Sequence, residues 1–264
     1  MQVLTYSRDL VRNMQTRVPW AKQIRIHTNL LWKDYVPIAP EKTPTLAAPK
    51  PDVTFGWATD TYPMNENPLV WNEPEPKPKK SGKKRRFDCV QDNSMMWPVL
   101  TIEGKKGAEV RLAEMQNAHN GAVMLNNIHE LYRRVGKPFP YGEALVMTIA
   151  VTEETMKVVC HWIANVDQKD VFYHKTLKTW LLRPGNATGF AEGRRAIRNC
   201  IEYVLEERFT SISELLELYK KQRLEQLEQR TTQPTVRAFA SWALNALKMR
   251  PDAEFARLTN RGPH

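Results

Sequence analysis

Val99-Leu100-Thr101-Ile102-Glu103-Gly104-Lys105 is the stretch on which the fold and the chemistry of this chain turn. Its first four residues are apolar or β-branched and predict a strand that ends at Glu103. Residues two apart on a strand project from one face, so Thr101, Glu103 and Lys105 share a side. A carboxylate at a strand end is a hard oxygen ligand suited to Mg²⁺ or Mn²⁺. An ammonium beside it can hold an attacking water or stabilise charge developing on a phosphate. Gly104 leaves its own carbonyl sterically accessible between the two. The same three residues also fit a plain strand exit with both charges solvated, because the surface is the default place for charge.

The flanking sequence sets the context. Downstream, Ala118, Ala122, Leu125, Ile128 and Tyr132 recur at spacings of three and four and predict a helix over about 108–134. Gly136-Lys137-Pro138 stops it. Glu109, Gln116 and Asn120 fall on a roughly common face. Glu114, Gln116, Asn117, His119 and Asn120 make the half nearest Lys105 polar. Gly121, in mid-helix, costs about 1 kcal/mol against alanine, which close packing on a sheet would offset. Residues 144–151 and 156–164 predict two strands joined by Thr152-Glu153-Glu154-Thr155, a hairpin connection. A further strand is expected around 171–174, with a possible continuation at 180–182. Of the pair His161-Trp162, Trp162 reads as core and His161 as a satisfied buried or groove histidine.

Residues 187–230 read as two helices broken near Thr210, with Ser211 and Glu214 as a capping box. The Ile212-Leu215-Leu216-Tyr219-Leu224-Leu227 stripe reads as core rather than a dimer seam. Pro234 and Pro251 bracket a short last helix. Upstream, Leu4, Leu10, Val11, Met14, Val18, Ile24 and Ile26 give residues 1–35 a loose helical spacing. Ten of the 18 prolines fall between 37 and 80, which forbids a long helix there. One short strand fits at 53–58, where Val53, Phe55 and Trp57 share a face. Asp52 stands at its start and is the preferred second carboxylate. Asp92, in a polar turn, is the competitor.

The expected division is an N-terminal helical segment at 1–36 packed on the core, a main domain at 37–230 with a flexible basic insertion at about 72–92, and a C-terminal helical tail at 231–264. Strands and helices in this order make an α/β or α+β layer architecture, a central mixed sheet flanked by helices.

With 264 residues, the chain is long enough to bury a sizeable core. Its 42% hydrophobic and 26% charged residues exclude wholesale disorder. No apolar run is long enough to span a membrane, so no membrane association is expected. The first eight residues lack the pattern of a secretory leader. Cys89, Cys160 and Cys200 are odd in number and widely spaced, which argues for a reducing, nuclear or cytoplasmic compartment and against a disulfide framework. Seven positive charges lie within residues 77–86, leaving only +3 of the net +10 for the rest of the chain. Lys79, Lys80, Lys83, Lys84, Arg85 and Arg86 dominate that run. Such a run serves as a nuclear import signal, with an import receptor as partner, or as a non-specific contact to nucleic acid. A solvated loop without a partner is the plain alternative.

Taken together, Pro51-Asp52, Glu103-Gly104-Lys105 at a strand end and a following helix with Gln116 resemble the PD-(D/E)XK nuclease superfamily. The longer pattern adds Pro-Lys-Pro-Asp-Val-Thr-Phe-Gly-Trp, Ala113-Glu114-Met115-Gln116-Asn117-Ala118-His119 and a strand with His161-Trp162. It is similar to uncharacterised nuclease-like domains of filamentous fungi, over roughly residues 45–230. The resemblance implies a restriction-endonuclease-like sheet and metal-dependent cleavage of phosphodiesters in DNA or RNA. It implies that Asp52, Glu103 and the Gly104 carbonyl hold Mg²⁺ or Mn²⁺, that Lys105 positions the water and that Gln116 assists. The chain departs from the pattern in having about fifty residues between Asp52 and Glu103, and in lacking a clear glutamate in its first helix. The competing functions are a nuclease-fold module that binds nucleic acid or protein without cutting, for example an effector-type protein, and a two-carboxylate glycosidase. The glycosidase reading leaves Lys105 and the basic run unexplained.

Overall fold

The computed structural model describes residues 24–32, 47–58, 95–107, 109–203 and 207–231. Among the described residues six strands form one sheet in sequence order: β1 (Ile24–Thr28), β2 (Val53–Ala58), β3 (Met95–Gly104), β4 (Val146–Val151), β5 (Thr155–Val166) and β6 (Lys169–Leu181). The described residues add the helices α1 (Val110–Val135), α2 (Ala187–Tyr203) and α3 (Phe209–Thr231). Neighbouring strands are antiparallel except β3 and β4, which run parallel. A parallel neighbour requires a crossover, and α1 provides it. The expected mixed sheet with helices is the observed α+β fold. Among the described residues, no helix is long and apolar enough to cross a membrane.

Register explains the two faces of the sheet. Val53 pairs with Ile102 and Phe55 with Leu100, so these apolar side chains share one face. They join one hydrophobic core with Ile197 and Ile201 of α2 and with Ile212, Leu215, Leu216 and Tyr219 of α3. The opposite parity, Thr54 against Thr101, faces α1, where Asn117 and Asn120 are buried. Thr101 donates to Asn117 Oδ1 at 3.4 Å, and His161 Nε2 lies 2.8 Å from Thr148 Oγ1. A polar strip therefore runs under α1 inside an otherwise apolar interior.

Gly121 lets the helix close on that strip. A Cβ there would stand 2.4 Å from His161 Nδ1, so the close packing expected of this glycine is present. The helix ends where Gly136 adopts φ 69° and caps it, its N–H donating to the Arg133 carbonyl. The hairpin between β4 and β5 forms as read, closed by Thr152 N–H on the Thr155 carbonyl at 2.8 Å.

Several expectations change. Residues 24–28 are a strand, not part of a helix. Ile24, Ile26 and Thr28 sit opposite Trp57, Phe55 and Val53, an alternation of two that the looser helical spacing concealed. β6 is one strand of 13 residues rather than two pieces. It is the exposed edge of the sheet, so its polar middle carries no burial signal. Asp167 and Gln168, both at positive φ, make the tight turn that starts it. Trp162 is only half-buried, stacked on Tyr173, while His161 is the core residue of the pair. Ser211 lies inside the first turn of α3, which begins at Phe209, so it caps nothing. The N-terminal segment before residue 24, the basic run 77–86 with Lys79, Lys80, Lys83, Lys84, Arg85 and Arg86, Cys89, Asp92 and the tail after 231 lie outside the described residues.

Two outcomes follow from the packing of His161. Gly121→Ala should lose about 1–3 kcal/mol in urea unfolding despite its better helix propensity, and should be far less costly in a His161→Ala background. Burial, with His174 nearby, lowers the His161 pKa to about 3. The unfolded chain then binds the extra proton first. Stability should be complete above the unfolded value of about 6.5 and fall as pH drops toward 3, by up to about 1.4 kcal/mol per pH unit. The slope should flatten in His161→Gln.

Candidate functional site

Three backbone devices bring the acidic and basic residues together. β2 runs antiparallel to β3, so its first residues lie beside the last residues of β3. With Val53 opposite Ile102, the residue before it, Asp52, falls opposite Glu103 and on the same face. The Asp52 carbonyl accepts from Asn29 N–H at 3.1 Å, and its Oδ2 accepts from Gly104 N–H at 2.7 Å. Beyond β3, Lys105 N–H donates to the Val151 carbonyl at 2.9 Å. That bond keeps the chain extended, so Glu103 and Lys105 point to one side.

The side chains meet. Lys105 Nζ lies 3.6 Å from Glu103 Oε2 and 3.9 Å from Asp52 Oδ2. Glu103 is 1% exposed, against 30% for the Asp52 side chain and 17% for that of Lys105. The site is thus a buried carboxylate with a more open carboxylate and an ammonium at its mouth. Asn120 Nδ2 donates to Glu103 Oε1 at 2.8 Å. Glu103 Oε2 is buried and has no hydrogen-bond partner. Burial raises the Glu103 pKa, and the Asp52 charge adds to this, while Asn120 and Lys105 oppose it.

Asp52, Glu103, Gly104 and Lys105, read from the sequence, therefore form one site. Gln116 does not join them by contact; it is exposed on α1, one turn before Asn120. The helix residue that touches the site is Asn120, with Asn117 one turn behind it on Thr101. The detectable signal was a polar pair inside the buried positions Ala113, Asn117, Asn120 and Met124, spaced four, three and four. Ala118 and Ala122, expected to lie on the core stripe, are only half-buried beside that face. His119, from the polar group read in the sequence, lies 3.1 Å from the Ala47 carbonyl through Nε2 and ties the loop before Asp52 to α1.

Among the described residues no group of three or more His, Cys, Asp or Glu could hold a metal ion. The donor set here is two carboxylates and a backbone carbonyl. Gly104 N–H points to Asp52, and in an extended residue the carbonyl leaves by the same edge. All-oxygen donors with few protein ligands suit Mg²⁺, which keeps several waters and takes further oxygens from phosphate. The unsatisfied Oε2 of Glu103 is what such an ion would complete, so the residues fit it.

A buried carboxylate whose partners do not fully offset its desolvation costs stability. Because the folded pKa is raised, Glu103 favours the folded state fully only below its unfolded value and loses that contribution as pH rises through the folded one. Glu103→Gln should therefore melt higher than the parent at pH 7 without metal, by roughly 2–4 °C for about 1 kcal/mol. The gap should close as pH approaches 4.

No curated protein and no solved structure matches this chain. A family model described as a domain of unknown function, DUF7924, matches residues 6–216. That span holds all six strands, α1, α2 and every residue of the site. By this match the chain belongs to the DUF7924 family.

Proposed function

We propose that this chain is a metal-dependent nuclease of the PD-(D/E)XK type, hydrolysing phosphodiester bonds of DNA or RNA with Mg²⁺ or Mn²⁺. The observation that carries this reading is the meeting of Asp52, Glu103 and Lys105 across the ends of β2 and β3. The order of an antiparallel strand, a strand ending in the acid and the lysine, a helix and a parallel strand agrees with it.

Hydrolysis adds one water across a phosphoester bond. The water oxygen bonds phosphorus, the bond to the leaving oxygen breaks, and that oxygen gains a proton. A divalent ion, when bound, would neutralise charge on the phosphate and acidify a water. Asp52 and Glu103 would hold that ion, with the Gly104 carbonyl. Lys105 carries an ammonium at the mouth of the site, where it can hold the attacking water through its N–H donors and oppose the charge growing on phosphorus. Asn120 keeps Glu103 in place. Burial by α1 lowers the local dielectric and strengthens each of these interactions.

The run at 77–86 adds a sequence-independent attraction for phosphate and an address for nuclear import. Cys160 and Cys200 are buried free thiols, which supports a reducing compartment. Purified protein should cut plasmid, single-stranded DNA or RNA only with Mg²⁺ or Mn²⁺ added. Glu103→Ala and Lys105→Ala should each lower the rate about 10²–10³-fold, the scale of losing one electrostatic stabiliser. Cutting that is unchanged in Glu103→Ala contradicts the assignment. Metal binding without cutting of any of the three substrates would favour a binding module on the same scaffold.

A further inference from the structure

The outer edge of the sheet ends in an aromatic stack. Trp162 on β5 and Tyr173 on β6 stand directly opposite one another, their ring centroids 5.7 Å apart and their planes 12° from parallel. Trp162 takes the inner face of the Tyr173 ring. Among the described residues β6 has no strand beyond it, so the outer face of that ring looks past the sheet edge, and Tyr173 is 40% exposed. Residues directly opposite in an antiparallel pair share a face. The pairs Cys160–Lys175 and Val158–Lys178 therefore lie on the side of the stack, the side where Lys178 and Trp180 bond Glu192 of α2. Glu103 faces α1 on the other side, with β4 and β5 between. We infer that this edge binds single-stranded nucleic acid, with an unpaired base stacked on the outer face of Tyr173 and phosphates held by Lys175 and Lys169. The inference goes beyond the cleavage site, uses none of its residues and names the form of nucleic acid that is held.

Charge is disposed for phosphate. Lys169, Tyr173 and Lys175 share one face of β6, with Lys175 about 7 Å and Lys169 about 14 Å from Tyr173 along the strand. Both lysines are exposed, and among the described residues neither is paired with a carboxylate. Lys178 differs, since its Nζ donates to Glu192 Oε2 at 2.8 Å. The acid of the strand, Asp170, lies on the opposite face, where Tyr141 Oη donates to it at 2.9 Å. A chain laid along the edge thus meets cation, ring and cation, with no β6 carboxylate on that face. Aromatic faces flanked by cations hold single strands because every base offers a π-face. A duplex keeps its bases stacked on each other and has none to offer. A polypeptide strand is the competing guest of a sheet edge. Here the register slips at Leu177, which has no partner on β5. Such a bulge interrupts the ladder that a further strand would extend, and lysines on the edge oppose it again.

The test measures binding by the full chain in chelator, so that no metal-dependent cutting intervenes. The readout is fluorescence anisotropy of labelled oligo-dT, oligo-U and a duplex of equal length. Tyr173→Ala should weaken single strands about 5–150-fold, the worth of one stacked base, and leave the duplex affinity unchanged. Tyr173→Phe keeps the ring and should bind like the parent. Lys175→Ala should lower the salt slope for single strands by about 0.7. The basic run at 77–86 attracts all three probes, so the difference between them isolates the edge. A loss confined to oligo-dT or to oligo-U supports the inference and names DNA or RNA as the guest. Unchanged single-strand binding by Tyr173→Ala overturns it, as does an equal loss on the duplex. Self-association of the parent that Tyr173→Ala abolishes, with oligonucleotide binding unchanged, assigns the edge to a second copy and also overturns it. Ultraviolet crosslinking of an iodouracil-substituted oligonucleotide to the parent decides the point without a variant. The crosslinked peptide should contain Tyr173, and crosslinks confined to other peptides overturn the inference. Each of these failures leaves the cleavage reading to its own test in Glu103→Ala.

Discussion

A carboxylate kept out of water, one of its oxygens without a hydrogen bond and faced by the Lys105 ammonium, is the constraint around which this molecule is arranged. Glu103 sits at the end of a buried strand, beneath a helix, where an ionised group is costly. Asn120 and Lys105 offset part of that cost, one by a hydrogen bond and the other by charge. Lys105 faces the remaining oxygen at 3.6 Å without hydrogen-bonding it. Folding energy from the rest of the sheet sustains a group that would be better off solvated or protonated. Strain of this kind is common where a protein stores the capacity to bind or react.

The surrounding fold reads as the means of holding that group still. The parallel step from β3 to β4 requires α1 as a crossover, and the crossover places Asn117 and Asn120 over the strand ends. Gly121 lets α1 settle onto His161, which fixes the height of the helix above the sheet. His119 and Asn29 hold the approach to Asp52, and Val151 holds Lys105 extended. Each restraint is weak alone. Together they leave the acids and the ammonium little freedom, which is what preorganised electrostatics requires.

The parts of this arrangement that were readable from sequence are those with a strong local signal. β3 is a β-branched run with an abrupt charged end, and α1 has a long periodic stripe and a glycine stop. Asp52, Glu103 and Lys105 follow from strand alternation, together with the resemblance that linked the first to the others. What escaped was decided by tertiary contacts. β1 exists because β2 offers it an edge, not because Ile-Arg-Ile-His-Thr demands a strand. The middle of β6 is exposed, so no apolar alternation marks it. Ser211 carries the residues of a cap, but packing started α3 two residues earlier. Asn120 was missed as a site residue because a polar side chain on a helix reads as solvated, and only the sheet beneath turns it inward.

The most direct measurement of the central claim is a crystal structure with Mn²⁺, using its anomalous scattering. The account predicts an anomalous peak between the Asp52 and Glu103 carboxylates, within reach of the Gly104 carbonyl. Glu103 and Asp52 free of any peak, with Lys105 still bridging them at saturating Mn²⁺, would contradict it.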